Sequence, residues 1–465
     1  MTAFMSKSSN SSKCWGQSVS TGSKSNAEVS AADHNYVFHS WSAQGAISPI
    51  PVAKSSGSRF WDHDGKEYLD FSSQLVFTNI GHQHPKVVAA IQEQAATLTA
   101  LAPQHASDIR NQAAERIVEL AGSKFAKVFF TNGGADAIEN AIRMARIHTR
   151  KHKVLSTYRS YHGNTGAAIN ATGDPRRFPN EFAFGHVHFW GPYLYRSAFW
   201  ANSEEQECER ALQHLEQTII FEGPHTIAAI LLETVPGTAG VLVPPAGYLE
   251  GVRALCDKYK ILWIADEVMA GFGRTGKWFA FQSSKVVPDL ITFAKGVTSG
   301  YVPLGGVVIG SEISKTFDEQ VFPGGLTYMG HPLAAATAVA TIDVMKEEKM
   351  LENATSIGNE IFGPGLHELA KKHKVIGDIR GAGVFWGVDL VSDRKTHEPL
   401  APYGGSSPAM NELVAACKAN GMMPFTNFNR IHLCPPCNIS KADAKLGLEI
   451  LDKSLAQIGK YYTGE

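Results

Sequence analysis

Cysteine is scarce in this chain: six residues in 465 (Cys14, Cys208, Cys256, Cys417, Cys434 and Cys437). That excludes a disulfide scaffold. No apolar segment reaches membrane-spanning length and none has the pattern of a signal peptide, so a reducing cytoplasm is the expected setting. Net charge is nearly absent too, since 43 Lys and Arg face 44 Asp and Glu for a balance of −1. This argues against nucleic acid or a membrane surface as partner and for a small-molecule ligand. Residues 1–25 lack both acids and arginine while holding nine serines and three lysines. Such a composition buries too little surface to order itself, and a disordered Ser/Lys-rich tail over 1–35 is expected in preference to a transit peptide. Cys434-Pro-Pro-Cys437 has no second CxxC and no histidine at finger-like spacing, so it reads as a structural loop, with no metal site expected.

What the chain has is length and buried-strand character. At 465 residues it exceeds one typical core and implies two or more lobes. Short β-rich runs recur at Lys127–Thr131, Lys153–Thr157, Thr226–Leu232, Ile261–Ala265, Leu290–Ala294 and Gly305–Ile309. Amphipathic stretches such as Ala135–His152 and Tyr248–Tyr259 separate several of them. The alternation predicts an α/β fold with a mainly parallel sheet covered on both faces, and a ligand at the strands' carboxyl ends. We expect an N-terminal segment 36–85, with a hairpin around Asp64-Gly65 packing against the C-terminal part. A large domain then covers 86–335 and a smaller α+β domain 336–465, the latter with a turn at Arg380-Gly-Ala-Gly383.

Two of the runs end on chemistry. Ile261-Leu-Trp-Ile-Ala closes on Asp266, and Leu290-Ile-Thr-Phe-Ala closes on Lys295. A lysine at the mouth of an apolar sheet loses solvation of its charged form, its pKa falls, and it can attack an aldehyde. A buried carboxylate can hold a pyridine nitrogen protonated; together these are what pyridoxal phosphate requires. For an isolated pair, unrelated strand ends would be the simpler explanation, so the surrounding motifs decide. Asn132-Gly133-Gly134-Ala135 stands between a strand and a helix and leaves first-turn amides open to a phosphate, though glycines before a helix also make plain tight turns. Asp136 then points outward. Tyr161-His162-Gly163 follows another strand, and either Tyr161 or His162 could stack on a planar ring or simply pack in the core. Glu233, Asp266 and Glu267 cannot all face one cationic ring. Asp266 is expected to face its nitrogen, Glu233 to hydrogen-bond nearby and Glu267 to turn aside, with Val268 against the ring's second face. Gly271-Phe-Gly273-Arg-Thr-Gly276 formally satisfies the dinucleotide fingerprint GxGxxG, but it lies beyond the strand's end and opens into no convincing helix.

Leu232-Glu233, Ile264-Ala-Asp266-Glu267-Val268, Gly271–Gly276, Thr292-Phe-Ala-Lys295-Gly296 and Thr327-Tyr-Met-Gly-His-Pro332 closely resemble class III pyridoxal-phosphate aminotransferases. The likeness runs from about residue 36 to 460. It implies the pyridoxal-phosphate transferase fold type I, with a sheet of seven-stranded type, and a homodimer whose active sites lie at the interface. By position Lys295 matches the Schiff-base lysine, Asp266 the pyridinium partner, Gly134 and Ala135 the phosphate loop, and Tyr161 the stacking aromatic. Thr327 matches a hydroxyl reaching the phosphate from the neighbouring subunit.

Within the family, Ser72–Gly81, Tyr161-His-Gly163 and Leu232-Glu-Thr-Val-Pro236 are most similar to the amine–pyruvate, or ω-transaminase, branch. The resemblance implies an amine donor that displaces Lys295 from its imine link, proton transfer by that lysine, and pyruvate as the keto-acid acceptor leaving as alanine. Many relatives use a mobile arginine for the acceptor's carboxylate. The matching segment Met423–Asn429 has none, leaving Arg430 next to it, or Arg159, two positions before Tyr161 in what is expected to be an extended segment. Val76, Phe77 and Leu101 are candidate walls for the apolar amine, with core packing as the alternative. An aminotransferase for taurine, β-alanine or 4-aminobutyrate is the runner-up, followed by a catalytically silent homologue.

Overall fold

The apolar runs assemble into one seven-stranded sheet in a computed structural model that describes residues 24–180 and 184–465. Its strands are β1 (Phe125–Thr131), β2 (Lys153–Thr157), β3 (His186–Phe189), β4 (Ile227–Glu233), β5 (Leu262–Asp266), β6 (Leu290–Phe293) and β7 (Gly305–Gly310). They lie in the order β1-β7-β6-β5-β4-β2-β3. Strands β3, β2, β4, β5 and β6 pair in parallel, and β7 runs antiparallel to both its neighbours. Every residue of β4 is buried, as a strand covered on both faces requires. Helix α1 (Gly134–Thr149) sets Ala137, Ile138 and Ala141 against Val154, Leu231 and Ile264 on one side. Helices α2 (Glu204–Glu222) and α3 (Tyr248–Tyr259) bury Leu215, Ile219 and Val252 in the core that holds Ile230 and Trp263.

A second, five-stranded sheet follows later in the chain: β8 (Ile376–Ala382), β9 (Phe385–Asp393), β10 (Glu398–Pro399), β11 (Phe425–Asn427) and β12 (Arg430–Leu433). The expected turn at Arg380–Gly383 is displaced. Arg380, Gly381 and Ala382 belong to β8, and the reversal falls at Gly383, where φ is +58° and a Cβ would lie 2.4 Å from the Arg274 carbonyl oxygen. Helix α4 starts at Pro332 and runs to Glu347, four residues ahead of the expected boundary. Among the described residues no helix is long and apolar enough to cross a membrane. Cys434 and Cys437 are buried and unpaired, and no described group of His, Cys, Asp and Glu could hold a metal ion.

The described residues divide into two compact units, those up to Lys54 with Phe60–Glu67, and Ser55–Arg59 with Tyr68–Glu465. The larger holds both sheets just described. In the smaller, Asn26–Tyr36 forms a helix with no buried residue, capped by reciprocal bonds between Ser25 and Glu28. Of the tail expected over 1–35, residues 1–23 lie outside the described residues and residues 26–35 are helical. The reversal around Asp64-Gly65 is held by Asp62 Oδ1, which accepts from the amides of Asp64 (3.1 Å) and Lys66 (2.9 Å).

Candidate active site

Strands β5 and β6 pair in parallel with Asp266 opposite Thr292, so Asp266 and Lys295 emerge at the same edge of the sheet. The backbone of Lys295 has φ +48°, a left-handed conformation uncommon outside glycine that marks the end of the extended run. Lys295 is half-buried. Desolvation pulls its ammonium below the ordinary lysine range, against the opposing fields of Asp266 and Glu233, while the cations Arg176 and Arg274 act in the same direction as burial.

Asp266 is 4% exposed and fully engaged. Its Oδ2 lies 2.7 Å from His162 Nδ1, and its Oδ1 accepts from the Val268 amide at 3.0 Å. With the carboxylate as acceptor, Nδ1 carries the proton, and the buried Nε2 has no partner among the described residues. His162 is therefore held at its edge by Asp266, a role that sequence reasoning missed when it weighed this residue as a ring-stacker or as core packing. Glu233 aligns with Asp266 as the last rung between β4 and β5. Its two oxygens accept from the amides of Tyr161 and Gly237, both at 2.8 Å. Burial raises its pKa, with the nearby Asp266 contributing and His162 opposing. Glu267 points elsewhere, accepting from Thr234 Oγ1 (2.7 Å) and the amides of Ala280 (2.8 Å) and Phe281 (2.9 Å). Burial pushes it up to about 7.

Beside this pair, α1 opens on glycine. Gly133, its N-cap, supplies no side-chain acceptor to the first turn, so those amides remain free for an anion. A Cβ on Gly134 would lie 2.9 Å from Val268 Cγ1, and one on Gly163 would lie 2.6 Å from Ala135 Cβ. Gly134 therefore packs against Val268 and Gly163 against Ala135, and only glycine fits at 134 and 163. Asp136 sits half-buried in the same first turn. Tyr161 is half-buried with the Arg176 guanidinium 3.6 Å from its ring centroid, and Arg176 Nε in turn pairs with Asp174 at 3.0–3.1 Å. Asp174-Pro-Arg176 was the only sequence signal for this contact, and nothing in its spacing pointed to Tyr161.

The substrate candidates are more scattered. The premise for Arg159 fails: its φ is +62°, so residues 159–161 are not an extended segment and no same-side projection follows from spacing. Its guanidinium lies instead over the rings of Trp190 (5.0 Å) and Tyr193 (5.2 Å). Arg430, on β12, is 5% exposed and donates to the carbonyls of Ala239 and Asn427. Among the described residues neither arginine makes an ion pair with a carboxylate, whereas Arg380 close by is paired with Asp378 and Asp389. Burial lowers the pKa of both Arg159 and Arg430; the Arg430 charge adds to the effect on Arg159, while for Arg430 the field of Asp389 opposes burial and that of Arg380 adds to it. Val76 is fully buried among Val235, Val241, Met269 and Phe385. Phe77 is half-buried against Gly300, where a Cβ would meet its Cδ2 at 2.3 Å. Leu101 is half-buried in the irregular segment 98–107, and Thr327 is exposed in a turn. Gly271–Gly276 leads into turns and a four-residue 3₁₀ segment at Ala280–Ser283, which removes the helix a dinucleotide fingerprint needs.

A poised amine, a hydrogen-bonded acid on the adjacent strand and an uncapped helix start suit a cofactor with an aldehyde, a basic ring nitrogen and a phosphate. Comparison with known proteins agrees. The family model Aminotransferase class-III matches residues 41–455. The chain is 35% identical over 462 residues to the taurine–pyruvate aminotransferase of Bilophila wadsworthia, covering 94% of this chain and 97% of that protein. Among solved structures it is similar to the taurine:2-oxoglutarate aminotransferase of Bifidobacterium kashiwanohense in complex with PLP and glutamate, at 43% identity and TM-score 0.91, with 94% and 99% of the two chains covered. A thermostable (S)-enantioselective omega-transaminase from Thermomicrobium roseum matches at 34% identity and TM-score 0.87 over 94% and 99%.

Proposed function

We propose for this chain, which belongs to the class III aminotransferases, the transfer of an amino group from a primary amine to pyruvate. The products are alanine and a ketone or aldehyde, and the cofactor is pyridoxal 5′-phosphate. The observation that carries the reading is that Lys295 and Asp266 stand at the ends of adjacent parallel strands, close enough for the Asp266 charge to act on the Lys295 amine.

When bound, pyridoxal phosphate supplies an aldehyde to take up the amino group and a cationic ring that withdraws electrons from the substrate carbon. The first-turn amides after Gly133 would hold its phosphate, Tyr161 and Val268 its ring, and Asp266 its nitrogen. His162 orients Asp266 through the 2.7 Å bond, and the backbone bonds to Glu233 keep that second acid in place. Lys295 would hold the cofactor's aldehyde end, and its Nζ would take a proton from the substrate carbon and later return it. One group can do both because desolvation brings its pKa down towards the working pH.

Arg159 and Arg430, which make no ion pair with a carboxylate among the described residues, are our candidates for the acceptor's carboxylate, and they also favour a second reading of the donor. Two buried or half-buried arginines without a carboxylate partner suit an ω-amino acid such as taurine, β-alanine or 4-aminobutyrate better than an apolar amine. Val76, Phe77 and Leu101 would then matter less. We further propose a homodimer in which the exposed Thr327 of each subunit serves the other's phosphate site, a cofactor-binding large domain (86–335) with a C-terminal small domain (336–465), and a cytoplasmic location.

The test is an absorbance titration of the yellow holoenzyme with a panel of amines. Bleaching by 1-phenylethylamine and recovery with pyruvate support the first reading; bleaching by ω-amino acids alone supports the second. A purified protein that retains no cofactor refutes both.

A further inference from the structure

Beyond the rung Glu233–Asp266 the backbone ladder between β4 and β5 stops. These two residues carry the acids of the site, and strand ends without a following rung are the part of a sheet that opens most easily. The next pair of residues, Thr234 and Glu267, is joined through side chains: Thr234 Oγ1 donates to Glu267 Oε1 at 2.7 Å. The same carboxylate accepts the amides of Ala280 and Phe281, at 2.8 and 2.9 Å, and the Glu267 amide donates to Thr292 on β6 at 2.9 Å. Glu267 is 0% and Thr234 2% exposed. One buried carboxyl therefore ties together three segments: the chain leaving β4, the chain leaving β5, and the turn at 280–281.

We propose that Glu267, through Thr234, is a positioning residue for Asp266, supplying the missing rung that keeps the ends of β4 and β5 in register. A buried carboxyl group is costly to maintain unless its oxygens are satisfied, and here three donors from outside its own strand converge on it. The amides of residues 280–281 alone would serve a purely local turn. The Thr234 bond is the one that reaches across to the strand bearing Glu233. Asp266 is the charged neighbour that contributes to the field on Glu267, and the segments packed against it present a hydroxyl and amides.

The inference rests on the cofactor assignment above. The decisive variant is Thr234→Val, which keeps the shape and removes only the donor, with Thr234→Ser restoring the hydroxyl. In equilibrium dialysis with pyridoxal phosphate, Thr234→Val should bind the cofactor about tenfold more weakly. Thr234→Ser should return to within about twofold of the parent. Loss in kcat with unchanged KM for the amine should accompany the first variant, because Asp266 acts on the bound cofactor and touches no amine in the free protein. Wild-type cofactor affinity and kcat in Thr234→Val, with a fall in melting temperature alone, would overturn the proposal and leave Glu267 a local brace. A parent protein that binds no pyridoxal phosphate would instead refute the cofactor assignment, so the two failures are distinguishable. Should Glu267→Gln fold, it should weaken binding at least as much as Thr234→Val; tighter binding than that would also count against the idea.

Discussion

Charge burial governs this site residue by residue. Asp266 has both oxygens occupied and almost no water, so Asp266→Asn removes the charge that would pair with the cofactor's ring nitrogen and leaves His162 facing an amide. Removing one partner of a buried ion pair typically costs about 3–5 kcal/mol. We expect kcat/KM to fall by roughly a hundred- to several-thousand-fold, measured by steady-state alanine formation. The lowered pKa of Lys295 has a definite sign as well. Its amine acts only when deprotonated, so the rate of the first half-reaction should rise with pH and level off at a pH below that of a free lysine. Stopped-flow absorbance across the alkaline range reads this directly, and a limb at the ordinary lysine pKa would show that desolvation of the amine has no kinetic effect. Arg159→Met keeps the stem of the side chain and removes the cation. If Arg159 recognises the acceptor, the KM for pyruvate should increase about tenfold while that for 1-phenylethylamine stays unchanged.

At the scale of elements, the central relation is the parallel pairing of β4, β5 and β6, which delivers Glu233, Asp266 and Lys295 to one edge. Glu267 braces that edge, and its own titration can be followed as stability. Its folded pKa is pushed by burial up to about 7 from the ordinary 4.5. A carboxyl whose pKa is raised by folding gives a stability contribution that is full below the unfolded pKa and disappears as pH rises through the folded one. The parent should therefore lose about 3 kcal/mol relative to Glu267→Gln between pH 4.5 and about 7, a window set by the same two values. Chemical denaturation of both proteins across that window is the check, and parallel curves would mean that Glu267 is ionised throughout.

For the whole molecule, the two sheets belong to the same compact unit, while Thr327 lies on an exposed turn beside Tyr328, which is 67% exposed. Such exposure of an aromatic is consistent with a covering subunit. If Thr327 serves a neighbour's site, Thr327→Ala should leave the light-scattering mass at that of a dimer and weaken cofactor retention severalfold. A monomeric parent with full cofactor affinity would rule out the shared site.

Sequence alone determined the features that depend on chemistry at adjacent positions. Six runs became strands, five of them buried almost throughout because continuous apolar segments have no stable place except a doubly covered sheet and one, β1, partly exposed at the sheet's edge; Lys295 and Asp266 were legible because each ends a buried run. Short β3, with two histidines among its four residues, carried too little apolar signal to be seen. Tertiary structure decided what depends on approach through space: that His162 grips Asp266, that Arg176 covers Tyr161, that Arg159 breaks the extended path, and that Thr234 joins Glu267. Those contacts span from 15 residues to over a hundred along the chain, and no periodicity encodes a contact whose partners are brought together only by the packing of separate strands.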